Sequence, residues 1–216
     1  MEGTYSMNGF IRRALLAAIT AVAMTGALAA PASAGILTAS ASDCGDETLS
    51  QPFAQFGDRA NYKLVRNGGF ETGTDGWTLR GGAKVVSGNE PWKVGGSSHG
   101  KSLVLPAGST AISPTSCVGL AEPTVRFFVK KNRAPLLGIS TLAVSVYVKT
   151  SLGLTVPVPV GVVLANGQWK PTPAMLIVAN LLPLLPGDRT PVAFQFTPLL
   201  GDWQIDDLYV DPHRFR

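Results

Sequence analysis

The chain has 216 residues, of which 45% are hydrophobic and 15% charged, with a formal net charge of +4. That length suits one domain with a sizeable core. The small basic excess is spread along the sequence rather than clustered, which excludes a nucleic-acid footprint and a polybasic membrane patch.

The first residues read as a targeting segment. Arg12 and Arg13 precede an apolar run from Ala14 to Ala30, and Pro31-Ala32-Ser33-Ala34 supplies the small residues of a cleavage site. The expectation is a signal peptide over residues 1–34, cleaved after Ala34, and a secreted, extracellular protein. A membrane anchor is the competing reading. The run is Ala-rich, however, and short of the roughly 20 strongly apolar residues that a spanning helix needs.

Export brings oxidising conditions, where an even pair of cysteines joins. The two cysteines are Cys44 and Cys117. Their bridge would close a loop of about 74 residues and contribute roughly 4 kcal/mol in the chain-entropy model. It would tie an N-terminal extension, residues 35–61, to the body of the protein. No base or cation flanks Cys117 to make it a reactive thiol instead.

Downstream, 16 prolines and 24 glycines in the whole chain leave little room for long helices. Short runs rich in β-branched and aromatic residues take their place: 84–86, 102–105, 110–112, 124–130, 142–149, 192–196 and 204–210. In 142–149, Val144, Val146 and Val148 alternate with Ser145, Tyr147 and Lys149, the pattern of a half-buried antiparallel strand. About eight or nine such strands without an amphipathic helix predict an all-β fold. Its form is a two-sheet antiparallel jelly-roll sandwich over residues 62–216. Two apolar stretches fit less simply. Leu152 to Leu164 contains Pro157 and Pro159, so it is an edge strand or a covered loop. Ala174 to Leu185 reads equally as a short helix or a buried strand.

The most specific motifs stand far apart. Asn67-Gly68-Gly69-Phe70-Glu71 runs on to Gly76-Trp77, a small-residue stretch spans Gly95 to Leu103, and Ile205-Asp206-Asp207-Leu208 lies in the last strand. In this order, over residues 62–211, they resemble the carbohydrate-binding-module and galactose-binding-like jelly-roll group. The resemblance implies a structural calcium ion joining the first and last strands. Its ligands would be Glu71, Asp206 or Asp207, and carbonyls near Asn67, Gly69 and Lys101, an oxygen set that suits a hard cation. Without a metal, the same acids would accept backbone N–H bonds at strand ends.

Glycan binding in that group uses exposed rings beside polar side chains. Trp92, in a polar loop, is the first candidate, followed by Tyr147 and Arg126 on outward strand faces, while Trp77, Trp169 and Trp203 read as core or core rim. Catalytic patterns are thin. Gly96-Ser97-Ser98-His99-Gly100 matches a nucleophile elbow in letters, but the strand–turn–helix context is missing. His99 and His213 are the only imidazoles, too few for a zinc site with bonded cysteines. The resulting expectation is a secreted, non-catalytic domain that binds polysaccharide or a cell-surface glycan. The alternative is a structural or protein-interaction sandwich that uses the apolar 152–185 region as its contact surface. A small hydrolase is the third reading.

Overall fold

The computed structural model of the chain describes residues 48–119, 124–134, 139–149, 154–177 and 189–211. The signal segment, Cys44 and residues 178–188 lie outside them. The described residues belong to one compact unit, Ser33–Arg216.

In chain order the strands are β1 (Leu49–Ser50), β2 (Tyr62–Leu64), β3 (Thr78–Arg80), β4 (Lys84–Ser87), β5 (Lys101–Leu105), β6 (Thr110–Ile112) and β7 (Ser116–Gly119). The longer ones follow: β8 (Thr124–Arg133), β9 (Thr141–Lys149), β10 (Thr155–Val163), the short β11 (Lys170–Pro171) and β12 (Met175–Leu176), then β13 (Arg189–Leu200) and β14 (Asp202–Asp211). A single 3-10 turn, Ala54–Phe56, is the only helical element among the described residues. The all-β expectation therefore holds, with every pairing antiparallel.

Two sheets form. Sheet A runs β1-β2-β14-β5-β4, with β8 on the other side of β14 and β11 and β12 beyond β8. Sheet B runs β10-β9-β13-β6-β3, with β7 also paired to β13. The core lies between them, built from alternate residues of each strand: Val144, Val146 and Val148 of β9, Phe194 and Phe196 of β13, Phe127 and Val129 of β8, and Trp203 and Ile205 of β14. Burial of these side chains is the main stabilising term, at roughly 1.5–3 kcal/mol each.

Residues 48–61 are the described part of the N-terminal extension. They fold over the outer face of sheet A, where Phe53 is fully buried against Tyr62, Phe128 and Tyr209 in a second aromatic cluster. The Phe53 ring stacks on Phe128 at 5.5 Å and meets Tyr62 and Tyr209 edge-on at 4.8 and 5.7 Å. Sheet A is thus covered on both faces over part of its width.

Residues 155–163 form an edge strand, one of the two readings open for the stretch, with Pro157 opposite Tyr147 and Pro159 opposite Ser145. Proline lacks the N–H that an interior strand must donate, so the edge is where it fits. Within 174–185 only Met175–Leu176 is strand among the described residues. Cys117 is buried in β7 and is not a free thiol.

Candidate functional site

The two motifs do meet. β14 pairs along its whole length with β8 on one side, but on the other it is shared: Trp203 to Ile205 pair with β5, and Tyr209 and Val210 with β2. Between these partners, two residues of β14 (207 and 208) oppose one of β8, because Asp206 pairs Phe128 and Tyr209 pairs Arg126. This is a β-bulge, and Asp207 takes a left-handed backbone there, φ 47°. The asparagine-glycine-glycine turn fills the gap. Val65 N–H donates to Leu208 O at 2.9 Å and Leu208 N–H donates to Gly68 O at 3.2 Å.

Each letter of the turn motif has a physical reason. The Asn67 amide nitrogen donates to the Gly73 and Asp75 carbonyls, its side-chain oxygen accepts the Thr72 N–H, and its own carbonyl accepts the Trp77 indole N–H at 3.0 Å. A side chain at Gly68 would meet Leu208 O at 2.8 Å, and one at Gly69 would meet Asp207 Oδ1 at the same distance. Phe70 is buried in the core against Trp77, with ring centroids 4.8 Å apart. Glu71 Oε1 accepts the Gly100 and Lys101 amides at 2.8 and 2.9 Å, and the Lys101 ammonium donates to Glu71 O at 2.8 Å.

Around the bulge lies a buried polar cluster. Asp206 is fully engaged, its two oxygens accepting the Glu90 and Asp207 amides at 3.2 and 2.9 Å. Asp207 is 0% exposed, and neither of its oxygens has a hydrogen-bond partner. His99 Nδ1 stands 3.6 Å from Asp207 Oδ1. Burial pushes both carboxyls well above the usual range. For Asp206 the Asp207 charge adds to the rise, and for Asp207 the His99 ring opposes it while Glu90 reinforces it.

Glu90 and His99 are participants that the sequence did not single out. Glu90 is buried, and its carboxylate accepts the Trp92 and Val94 amides at 2.5 and 2.6 Å, which fixes the loop carrying Trp92. It docks on a residue 116 positions away, so no local pattern could have marked it.

The residue set for calcium is thus gathered in part. Glu71, Gly69, Lys101, Asp206 and Asp207 share one neighbourhood, but both Asp206 oxygens and Glu71 Oε1 are taken by amides. Among the described residues no group of three or more His, Cys, Asp and Glu side chains is placed to hold a metal ion. Asp207 and the Asn89 amide are among the buried polar groups without a hydrogen-bond partner.

The three ligand candidates lie apart. Arg126 is on the outer face of β8, as expected, but that face is covered. Its guanidinium lies 4.0 Å from the Phe53 ring centroid, pairs with Asp58 and donates to the Thr172 carbonyl, leaving the residue 8% exposed. Trp92, 37% exposed, leans edge-on against Phe56 at 4.8 Å and on Phe128 at 5.6 Å, on the same covered side. Tyr147 is on the opposite side of the molecule, on the outer face of sheet B.

That outer face is half-exposed along β9, whereas Ala193, Ile112 and Cys117 on the same face are buried. Residues 141, 143, 145 and 147 of β9 are half-buried and alternate with buried core residues. Across the strands Thr78, Ile112, Gln195, Ser145 and Pro159 form one row, and Tyr147 lies between Ala193 and Pro157 in the next. Gln195 Nε2 donates to Thr197 Oγ1 at 2.9 Å, which holds the amide in place on the face. An aromatic ring therefore stands beside an amide, hydroxyls and proline rings on one half-exposed sheet. A shallow groove of about 270 Å³ also opens beside the turn, lined by Arg66, Glu71, Thr72, Asp75 and His99.

The sequence matches no protein-family model and no curated protein. Among solved structures it is similar to the CBM22-1 and GH10 modules of Clostridium thermocellum endo-1,4-beta-D-xylanase 10B, complexed with xylohexaose. The TM-score is 0.45 at 19% identity, over 66% of this chain and 27% of that one, so the chain spans about a quarter of that structure. It is also similar to the CBM22-1 xylan-binding domain of Paenibacillus barcinonensis Xyn10C, with a TM-score of 0.43 at 15% identity over 66% of this chain and 89% of that one. For TmCBM61 in complex with beta-1,4-galactotriose the TM-score is 0.37 at 19% identity, over 68% and 96%. Each of these three structures contains a carbohydrate-binding module, and the chain is also similar to the enzymatically active domain of bacteriophage CBA120 tailspike protein 4, with a TM-score of 0.44 at 18% identity over 68% of this chain and 21% of that one.

Proposed function

We propose that the chain is a secreted, non-catalytic glycan-binding domain and that its binding face is the outer face of sheet B. The observation that carries this reading is the contrast between the two sheets. The outer face of sheet A is filled by Phe53 and its neighbours, while sheet B presents Tyr147 half-exposed beside Ser145 and Gln195. A pyranose has an apolar C–H face and a rim of hydroxyls. A ring with an apolar body suits the first, and an amide that both donates and accepts suits the second. The basic pair, apolar run and small-residue stretch of residues 1–34 support export, and the pairing of Cys44 with Cys117 belongs to the same reading.

Pull-down on insoluble polysaccharides tests it. Tyr147→Ala and Gln195→Ala are expected to release the protein, and Trp92→Ala is expected to leave it bound. Retention after both sheet B substitutions would move the site elsewhere.

Calcium belongs to this proposal as a structural ion. The orphaned, buried Asp207 carboxylate supports it, and Asp207 and Glu71 would be its acidic ligands. The ion would supply charge compensation at the bulge. Melting temperature measured with and without millimolar calcium checks this, and an unchanged melting temperature would remove the ion.

The second reading, a protein-interaction sandwich, is favoured by one observation. Leu154, Val162, Leu164 and Leu176, all in the 152–185 region, are each 60% exposed or more. A self-association or partner-capture result in the absence of any glycan binding would support it.

A further inference from the structure

We infer that the outer face of sheet B selects acidic polysaccharides, chains that carry carboxylate groups, over neutral ones. The inference rests on the reading of that face as a glycan site. Its basis is the distribution of charge between the two sheets. The six strands of sheet B, β3, β6, β7, β9, β10 and β13, contain no Asp or Glu at all. The described acids lie elsewhere. Asp202, Asp206, Asp207 and Asp211 are in β14 of sheet A, Asp58 and Glu90 pack on its outer side, and Glu71 and Asp75 line the groove beside the turn.

Cations are not absent from sheet B. Arg80 pairs with Thr110 at one end of the face, and Lys149, two residues beyond Tyr147 on the same side of β9, stands at the other. Both are exposed, and neither makes an ion pair or a side-chain hydrogen bond among the described residues. From the Arg80 row to the Lys149 row is about 20 Å along the strands, and from β3 to β9 about 14 Å across them. Thr197, Gln195, Ser145 and Tyr147 lie on the diagonal between the two.

A neutral chain on that diagonal would leave both cations with water alone as partner. A chain with carboxylates would gain charge-assisted hydrogen bonds at its two ends and meet no like charge on the way. The guanidinium is the better reader of the two, since its fork matches a carboxylate in two parallel bonds.

The test uses the full chain with polygalacturonate and with its methyl ester, which keeps the sugar backbone and removes the charge. Binding is measured by calorimetry at low salt and at about 1 M salt, where charges more than about 3 Å apart are screened. Wild-type protein is expected to prefer the acidic polymer, and the preference to vanish at high salt. Arg80→Gln with Lys149→Gln should weaken polygalacturonate binding about tenfold, or about threefold per cation, while leaving the ester unaffected. Lys84→Gln with Lys130→Gln, on sheet A, should change neither. Equal binding of the two polymers, or loss of the preference only in the sheet A variant, would overturn the inference and leave the Tyr147 platform standing. Failure to bind these or any neutral polysaccharide would overturn both.

Discussion

A methyl group added at Gly69 would lie 2.8 Å from Oδ1 of Asp207 and 3.0 Å from Nδ1 of His99. The early turn and the last strand are therefore matched to each other at the level of single atoms. Gly69→Ala is expected to destabilise the fold by about 1–3 kcal/mol, the usual cost of overpacking. Gly100→Ala, where nothing lies within 4 Å, should stay within about 0.5 kcal/mol of the parent. Urea unfolding of the two variants gives the comparison.

Phe53→Ala should cost about 3–5 kcal/mol, because it empties the centre of the aromatic cluster on sheet A. A value near zero in calorimetry would show that residues 48–61 are only an appendage.

Asp58 supplies a pH dependence. Burial pulls its carboxyl up, but the Tyr62 hydroxyl, the Ala60 amide and the Arg126 guanidinium together hold it below the usual 3.8. A carboxyl lowered by folding contributes stability above its unfolded pKa and loses it as pH falls through the folded value. The difference between wild type and Asp58→Asn should therefore be about 1 kcal/mol at pH 6, a figure discounted for the partial exposure of the pair. It should shrink to nothing well below pH 3.8, as read from melting curves at both pH values.

The exposed edge of sheet B offers a fourth outcome. Pro157 and Pro159 leave gaps in the row of N–H donors along β10. Replacing both with Val supplies two donors to an edge already flanked by exposed Leu154, Val162 and Leu164. Light scattering after size exclusion should show association in the double variant and less in the parent.

How much of this was legible follows from how local each signal is. The Val144, Val146, Val148 alternation reports burial of one face, so β9 and its inward residues could be read directly. The asparagine-glycine-glycine motif and the paired aspartates could be brought together through the resemblance they carry. The two-residue strands β1, β11 and β12 left no pattern, since two residues have no period. Arg126 was legible as outward-facing, but the cover over it comes from Phe53 and Asp58, about 70 positions away. Its burial therefore belongs to tertiary structure alone. The same holds for Glu90, whose partner lies in the last strand.

β14 is flanked on both sides, by β8 along its length and by β5 and β2 in turn, yet it comes after all of them in the chain. During synthesis the middle of sheet A stays open until residue 211 has been made. The aromatic cluster lacks Tyr209, and the glycine turn has nothing to close upon. Completion of the fold is thus reserved for its final strand, and a nascent chain stopped before residue 202 would hold three unjoined pieces of a sheet: β1 with β2, β4 with β5, and β8 with β11 and β12.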